Sequence, residues 1–207
     1  MVSSLRAATD NVFNPTLRRI MAKENKFDFE KMIDSKKRNV CFIITSPVNK
    51  QSHAFCNLFL SSMFKSMFEI AQKRPNGKLP RPVRLIADDF ATMPIVGFEE
   101  FISVCREIQF SCCLLLQSES QLQKVYSEDG ATTIINCCDN YVFMGANDLH
   151  TAKHVSERAD IPLSETLSLP TGKEIVFMRG HKPVFCNRYK ITEDELYKKV
   201  IIKSNER

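Results

Sequence analysis

Four compact apolar runs alternate with stretches of helical spacing, and this alternation restricts the fold of the chain more than any other feature. The runs are NVCFIITS from Asn39, VRLIAD from Val83, FSCCLLLQ from Phe110 and NYVFMG from Asn140. Each is short and bounded by polar or turn residues, the pattern of a strand buried on both faces. From about Asn49 to Lys73, Phe55, Phe59, Met63, Met67 and Ala71 recur at helical spacing, and Leu58, Leu60, Phe64 and Phe68 widen that stripe. Strand and helix alternate from Lys37 to Ala159, which predicts an α/β fold built on a mostly parallel sheet with helical crossovers. Strands are expected near 39–45, 83–88, 111–117 and 140–145 in one sheet. In such sheets the chemistry lies at the carboxyl ends of the strands.

The connecting segments follow from turn and cap residues. RPNGKLPRP, from Arg74, is a turn-rich connector, and ATMPIVG is a loop leading to a helix from about Phe98 to Arg106. SQLQKVY reads as a short helix, and Asp148 to about Ala159 as another, capped by Asn147 or Asp148. EIVFMRG and KPVFCNRYK flank Gly180-His181 as a hairpin. Residues 1–35 read as two short helical pieces broken at Asn14-Pro15, and the basic cluster Lys36-Lys37-Arg38 follows them. The expected division is a helical segment over 1–35 and the α/β region over 36–207.

Composition excludes several classes. At 207 residues, with 43% hydrophobic and 26% charged residues, the chain can bury a core and does not have a disordered composition. No apolar run approaches the roughly 20 residues of a membrane helix, and the first segment has no apolar core of a secretory signal. None of the eight cysteines forms a CxxC pair, and most sit in apolar runs, so they read as small buried thiols of a reducing compartment. Adjacent Cys112 and Cys113 on a strand point to opposite faces and do not readily serve one metal. A net charge of +5 permits a nucleic-acid partner without establishing one.

Candidate chemistry sits where strands end in polar residues: Asp88-Asp89, Gln117-Ser118 and Asn147-Asp148. Paired acids after an apolar strand can hold magnesium through water and orient an attacking water. Acids also end many strands merely by reaching solvent, so spacing leaves both readings open. Asn147 and Asp148 read as a helix cap rather than as ligands. His150 and His154 share a helix face but lack an evident third ligand. Arg179, His181, Lys182, Arg188 and Lys190 decorate the hairpin and could contact nucleic-acid phosphates, although charged hairpin faces are usually just solvated and no regularly spaced aromatic platform accompanies these residues.

The stretch from RLIADDF to HVSERAD resembles the TraG-like type IV coupling proteins, RecA-like ATPases of conjugation and type IV secretion. The matching pieces are Asp88-Asp89-Phe90, Arg106, Gln117-Ser118, Ser120-Gln121-Leu122 and Asn147-Asp148, in that order. Similarity continues through LSLPTGKEIVFMRGHKPVFCNRYK. The resemblance implies an incomplete RecA-like fold and assigns Asp88 as the Walker B aspartate acting through magnesium. Asp89 stands where the family usually has glutamate, the general base, and a carboxylate withdrawn by about 1 Å can lower a rate roughly 100-fold. Gln117 resembles the sensor of the terminal phosphate. Arg106 resembles an arginine that stabilises phosphate charge from a neighbouring subunit, although a solvated or helix-capping arginine reads equally well.

A phosphate-binding P-loop, G-x-x-x-x-G-K-[ST], is missing from the sequence. Gly77-Lys78 is followed by Leu79 and Gly172-Lys173 by Glu174, and neither has the upstream glycine. The chain therefore reads as the carboxyl-terminal portion of a coupling protein, without its P-loop strand or membrane helices. What the resemblance implies is ATP with magnesium, a hexameric ring, DNA, relaxase and secretion-channel partners, and a place on the cytoplasmic face of the bacterial membrane. The rival reading is a RecA-like interaction module that keeps the fold without hydrolysis and binds DNA or secretion partners. An unrelated cytosolic nucleotide-binding protein would need a phosphate site the sequence does not offer.

Overall fold

The computed structural model describes residues 27–34, 36–45 and 51–205, and the break expected at Asn14-Pro15 lies outside them. The chain divides into two compact units, Met1–Cys137 and Cys138–Arg207. In the first, a short helix α1 (Phe29–Asp34) precedes α2 (Gln51–Gln72), strand β1 (Val83–Ala87), helix α3 (Phe98–Val104), strand β2 (Phe110–Leu114) and α4 (Glu119–Asn136). The second holds β3 (Asn140–Phe143), α5 (Leu149–Ala159), α6 (Leu163–Leu167), β4 (Lys173–Met178), β5 (Val184–Asn187) and α7 (Glu195–Asn205).

The α/β architecture follows from the crossover pattern. β1 and β2 pair in parallel, Val83 opposite Phe110 and Ala87 opposite Leu114, with α3 on the connection between them. Helix α2 packs its stripe into an aromatic core, where the Phe64 and Phe101 rings stack with centroids 3.9 Å apart. Phe98, Phe101 and Phe110 are buried there with Met63 and Met67. Leu58 departs from the expected stripe and faces solvent.

Two strand expectations are corrected. Residues 39–45 form no strand among the described residues, and Val40, Phe42 and Ile44 are 77%, 83% and 90% exposed. An extended run needs a ladder partner for its N–H and C=O groups, and no described neighbour supplies one. The last strand is also not part of the parallel sheet: β3 pairs antiparallel with β4, Phe143 opposite Ile175. β4 then pairs antiparallel with β5, the expected hairpin, and the turn contains Gly180 at φ 79°.

In the second unit Phe143, Val155, Ile175 and Phe177 form the core. The Arg158 guanidinium lies over the Tyr141 and Phe177 rings, 5.0 and 4.5 Å from their centroids, and covers the core's outer side. Asp148 caps α5, its Oδ2 accepting from the Thr151 N–H at 2.9 Å and from the Thr151 hydroxyl at 2.6 Å. The cysteine expectation holds for Cys56 and Cys105 alone among the described residues, since Cys41 and Cys113 are exposed and the others half-buried. Cys112 and Cys113 do face opposite ways, one half-buried and one exposed.

Helix α4 runs well past SQLQKVY, but it is broken. Ser127 sits at φ 64°, ψ 170°, a region open to glycine and strained for any side chain. Its Oγ accepts from the Gly130 N–H at 3.3 Å and restarts the helix as a cap. Glycine there relieves the strain and gives up only a few tenths of a kcal/mol as a cap. Ser127→Gly is therefore expected to stabilise this unit by about 1 kcal/mol, a rise in melting temperature of roughly 2–4 °C by calorimetry.

Candidate strand-end site

The site grows out of the parallel pair. Beyond the last paired residues the chains stay in register, the Leu115 N–H donating to the Ala87 carbonyl at 2.9 Å and the Phe90 N–H to the Leu115 carbonyl at 3.0 Å. Because the strands are parallel, the residues after β1 and after β2 emerge at the same carboxyl end. Asp88 and Asp89 follow β1, and Gln117 follows β2. The direct contact is made by Asp89, whose Oδ1 accepts from Gln117 Nε2 at 3.2 Å. Asp88 turns back on the chain, its Oδ1 accepting from the Asp89 N–H at 3.1 Å.

Asp89 holds a left-handed conformation, φ 47° and ψ 46°. Aspartate tolerates that conformation better than longer side chains do. Gln121, quoted in the sequence motif but given no role there, joins the site: its Nε2 donates to Gln117 Oε1 at 3.2 Å. The Gln121 N–H donates to the Ser118 hydroxyl at 3.2 Å, so one cap residue starts α4 and aims Gln121 at Gln117. The Ser-x-x-Gln spacing of a capping box was the available signal.

Arg106 stands elsewhere. It lies in the short helical turn before β2, at the amino end of the pair, where the Val83 N–H donates to the Gln109 carbonyl at 3.1 Å. Five strand residues separate that end from Asp88, roughly 16 Å. Within one chain Arg106 does not join the acids.

The loop after Asp88-Asp89 is fixed by residues the sequence did not single out. Asn57 on α2 donates from Nδ2 to the Pro94 carbonyl at 2.6 Å and accepts from the Val96 N–H at 3.1 Å. The Tyr126 hydroxyl accepts from the buried Ile95 N–H at 2.8 Å. Burial pushes the Tyr126 phenol well above its ordinary range, so it stays protonated. Tyr126→Phe leaves the Ile95 N–H without its partner and is expected to destabilise the unit by about 1–3 kcal/mol in urea titration.

The residues present fit only part of a magnesium–nucleotide site. Asp88 and Asp89 are exposed carboxylates that could hold a hydrated cation, but no group of three His, Cys, Asp or Glu among the described residues is placed to hold a metal ion. His150 and His154 gain no third ligand. Neither Gly-Lys pair opens a helix: Gly77 lies in a turn, and Lys173 begins β4. The described residues therefore contain no phosphate cradle. Nor is any described helix long and apolar enough to cross a membrane.

Residues 82–159, which carry Asp88, Asp89, Gln117 and Gln121, match the family described as the TraM recognition site of TraD and TraG. The segment is TraG-like. Among solved structures, the unbound monoclinic form of the bacterial conjugative coupling protein TrwBdeltaN70 is 17% identical, with a TM-score of 0.54 over 63% of this chain and 35% of that one. Its trigonal form in complex with sulphate is 17% identical, with a TM-score of 0.57 over 67% and 37%. The plasmid coupling protein TrwB in complex with ADP and Mg2+ is 18% identical, with a TM-score of 0.53 over 68% and 38%. The chain spans a little over a third of the length of these proteins. No curated protein matches it. The structural likeness shows a mixed α/β fold like that of TrwB, and the family model covers residues 82–159 alone.

Proposed function

We propose that this chain is the motor-domain portion of a conjugative coupling protein that drives DNA or relaxase–DNA transfer through a type IV secretion system. The observation that carries the reading is the strand-end site: Asp88, Asp89 and Gln117 meet at one carboxyl end, inside the TraG-like segment. In this reading Asp88 holds magnesium through water, Asp89 orients the attacking water and Gln117 senses the terminal phosphate. Arg106, about 16 Å from the acids in its own chain, serves a neighbouring subunit of a hexameric ring. The phosphates of ATP would have to be held by a phosphate-binding loop that this sequence does not contain. The assembly works at the cytoplasmic face of the bacterial membrane and meets relaxase, channel proteins and a TraM-type protein.

A second reading has its own observation. The match is to a recognition site, the described residues lack a phosphate cradle, and Asp89 replaces the usual glutamate. These favour a non-hydrolysing module that binds secretion partners or DNA. Introducing Asp88→Ala into the chain in its own element and counting transconjugants separates the two. The motor reading expects transfer to fall by roughly 10–100-fold or more, the range for a group acting on a metal through its shell. Unchanged transfer with normal chain abundance supports the interaction module.

A further inference from the structure

Two cysteines meet across the turn that precedes β2. Cys105 opens the short helical turn Cys105–Ile108, and Cys112 lies in the middle of β2, opposite Leu85 of β1. Between them Gln109 holds a left-handed conformation, φ 65°, which ends the turn and redirects the chain into β2. The redirection brings the two thiols into a shared hydrogen bond. Cys105 Sγ also donates to the Ile102 carbonyl at 3.5 Å. Backbone bonds hold both ends of the pair. β2 is laddered to β1 from Val83–Phe110 to Ala87–Leu114. The turn is tied down by the Leu79 N–H, which donates to the Ile108 carbonyl at 3.2 Å, and by the Val83 N–H, which donates to the Gln109 carbonyl at 3.1 Å. The approach of the sulfurs is therefore built into the backbone and does not depend on two mobile side chains.

The two thiols differ in what can reach them. Cys105 is buried, and Cys112 is half-buried and open to solvent on one side. The hydrogen bond from Cys112 favours the Cys105 thiolate and, with the charge of the adjoining Arg106, holds that thiol below its ordinary range against the cost of burial. Other thiols go the opposite way: burial pushes Cys56 up, and burial with the Glu174 carboxylate pushes Cys186 up. The thiolate is the nucleophile of disulfide exchange. The pair thus joins a thiol that solvent reaches to a neighbour suited to attack it. Cys113, the next residue of the strand, points to the opposite face and has no such place beside Cys105.

We propose that Cys105 and Cys112 form a reversible dithiol–disulfide site that exchanges with small-molecule disulfides of the glutathione class. Cys112, as thiolate, attacks one sulfur of oxidised glutathione. The glutathione S–S bond breaks, a Cys112–glutathione bond forms, and the departing glutathione thiolate takes up the proton that Cys112 gave up. The Cys105 thiolate then attacks the Cys112 sulfur, and the second glutathione leaves with the Cys105 proton. Two cysteine thiols are oxidised to one disulfide, and one glutathione disulfide is reduced to two thiols. Excess reduced glutathione runs the same steps backward. The closed bond tethers the helical turn to β2 around residues 105–112. Arg106 directly follows Cys105, so the motor reading is touched through Arg106 alone, and the exchange itself does not rest on that reading.

The test treats the folded 207-residue chain with oxidised glutathione, blocks the remaining thiols with iodoacetamide and digests it with trypsin without reductant, for mass spectrometry. Trypsin cuts after Arg106, so Cys105 and Cys112 fall in separate peptides that only a disulfide joins, and a Cys113→Ser background leaves Cys112 the sole cysteine of its peptide. The two peptides should be recovered joined, and dithiothreitol should part them. Cys105→Ala should abolish the joined pair and raise the glutathione retained on Cys112 by roughly ten-fold or more, because the intramolecular step that removes it is gone. Cys112→Ser should leave Cys105 unmodified, since burial keeps glutathione from it. If a variant folds poorly, the parent still decides. A folded parent in which both cysteines stay alkylated, or in which Cys112 keeps its glutathione, overturns the proposal. So does a joined pair that forms as readily in urea, where turn and strand no longer face each other. None of these outcomes alters the Asp88→Ala transfer result, so the thiol site and the motor reading fail separately.

Discussion

Mixed with ATP and magnesium, the 207-residue chain is expected to release phosphate no faster than buffer. Hydrolysis requires that the phosphates be held, the metal placed and water oriented. On the proposed reading Asp88 and the Asp89–Gln117 pair would serve the last two, and the described residues contain no backbone cradle for the first. Without a cradle and its lysine, the charge on ATP meets two exposed carboxylates, and binding is weak. Supplying a P-loop-bearing polypeptide, fused or in trans, should then give turnover that Asp88→Ala abolishes. Asp89→Glu in that assembly should raise the rate, by up to about 100-fold if the longer arm restores the carboxylate's position. The same substitution puts glutamate into the left-handed conformation at φ 47°, where it lacks aspartate's local tolerance. It should lower the melting temperature while raising the rate. Phosphate release over a magnesium series decides the matter: Asp88-dependent turnover by the chain alone would reveal a phosphate site among residues not assigned to one.

The strand ends were legible in the sequence because β1 and β2 are local statements. VRLIAD and FSCCLLLQ are continuous apolar runs that stop at a polar residue, and a parallel crossover then brings both stops to one edge. NYVFMG is an equally good strand, but nothing local says whether its partner runs parallel or antiparallel. That choice is made by Ile175 and Phe177 more than 30 residues away, which complete the Phe143–Val155 core. The length of α4 was hidden for the opposite reason. SEDGATT is polar and contains glycine, and it reads as a loop, yet Ser127 recaps the helix and Ala131 and Ile134 are buried beyond it. The contacts of Asn57 and Tyr126 with the 94–96 loop span 31 to 39 residues, a distance at which no spacing rule operates. Gln121 could have been read from its capping position and was the avoidable omission.

The other large effect expected is association of the isolated chain. A strand in a parallel sheet is ordinarily covered on both faces, and β1 and β2 are covered on one. Along β1 half-buried and exposed residues alternate, and Ile86 is 67% exposed, with Cys113 and Leu115 exposed on and just beyond β2. The pair belongs to no wider sheet among the described residues, so each strand keeps one edge whose backbone groups no described strand takes up. Val40, Phe42 and Ile44 add a run written like a buried strand, left without a ladder. Exposed apolar side chains of this kind on unpaired strand edges invite association. At micromolar concentrations the chain should elute above its monomer mass in size exclusion with light scattering. Burying one such side chain is worth about 1.5–3 kcal/mol. Serine at 40, 42 and 44 should therefore weaken association by 100-fold or more and return the chain to monomer. A parent chain that stays monomeric and binds no hydrophobic dye would overturn this expectation.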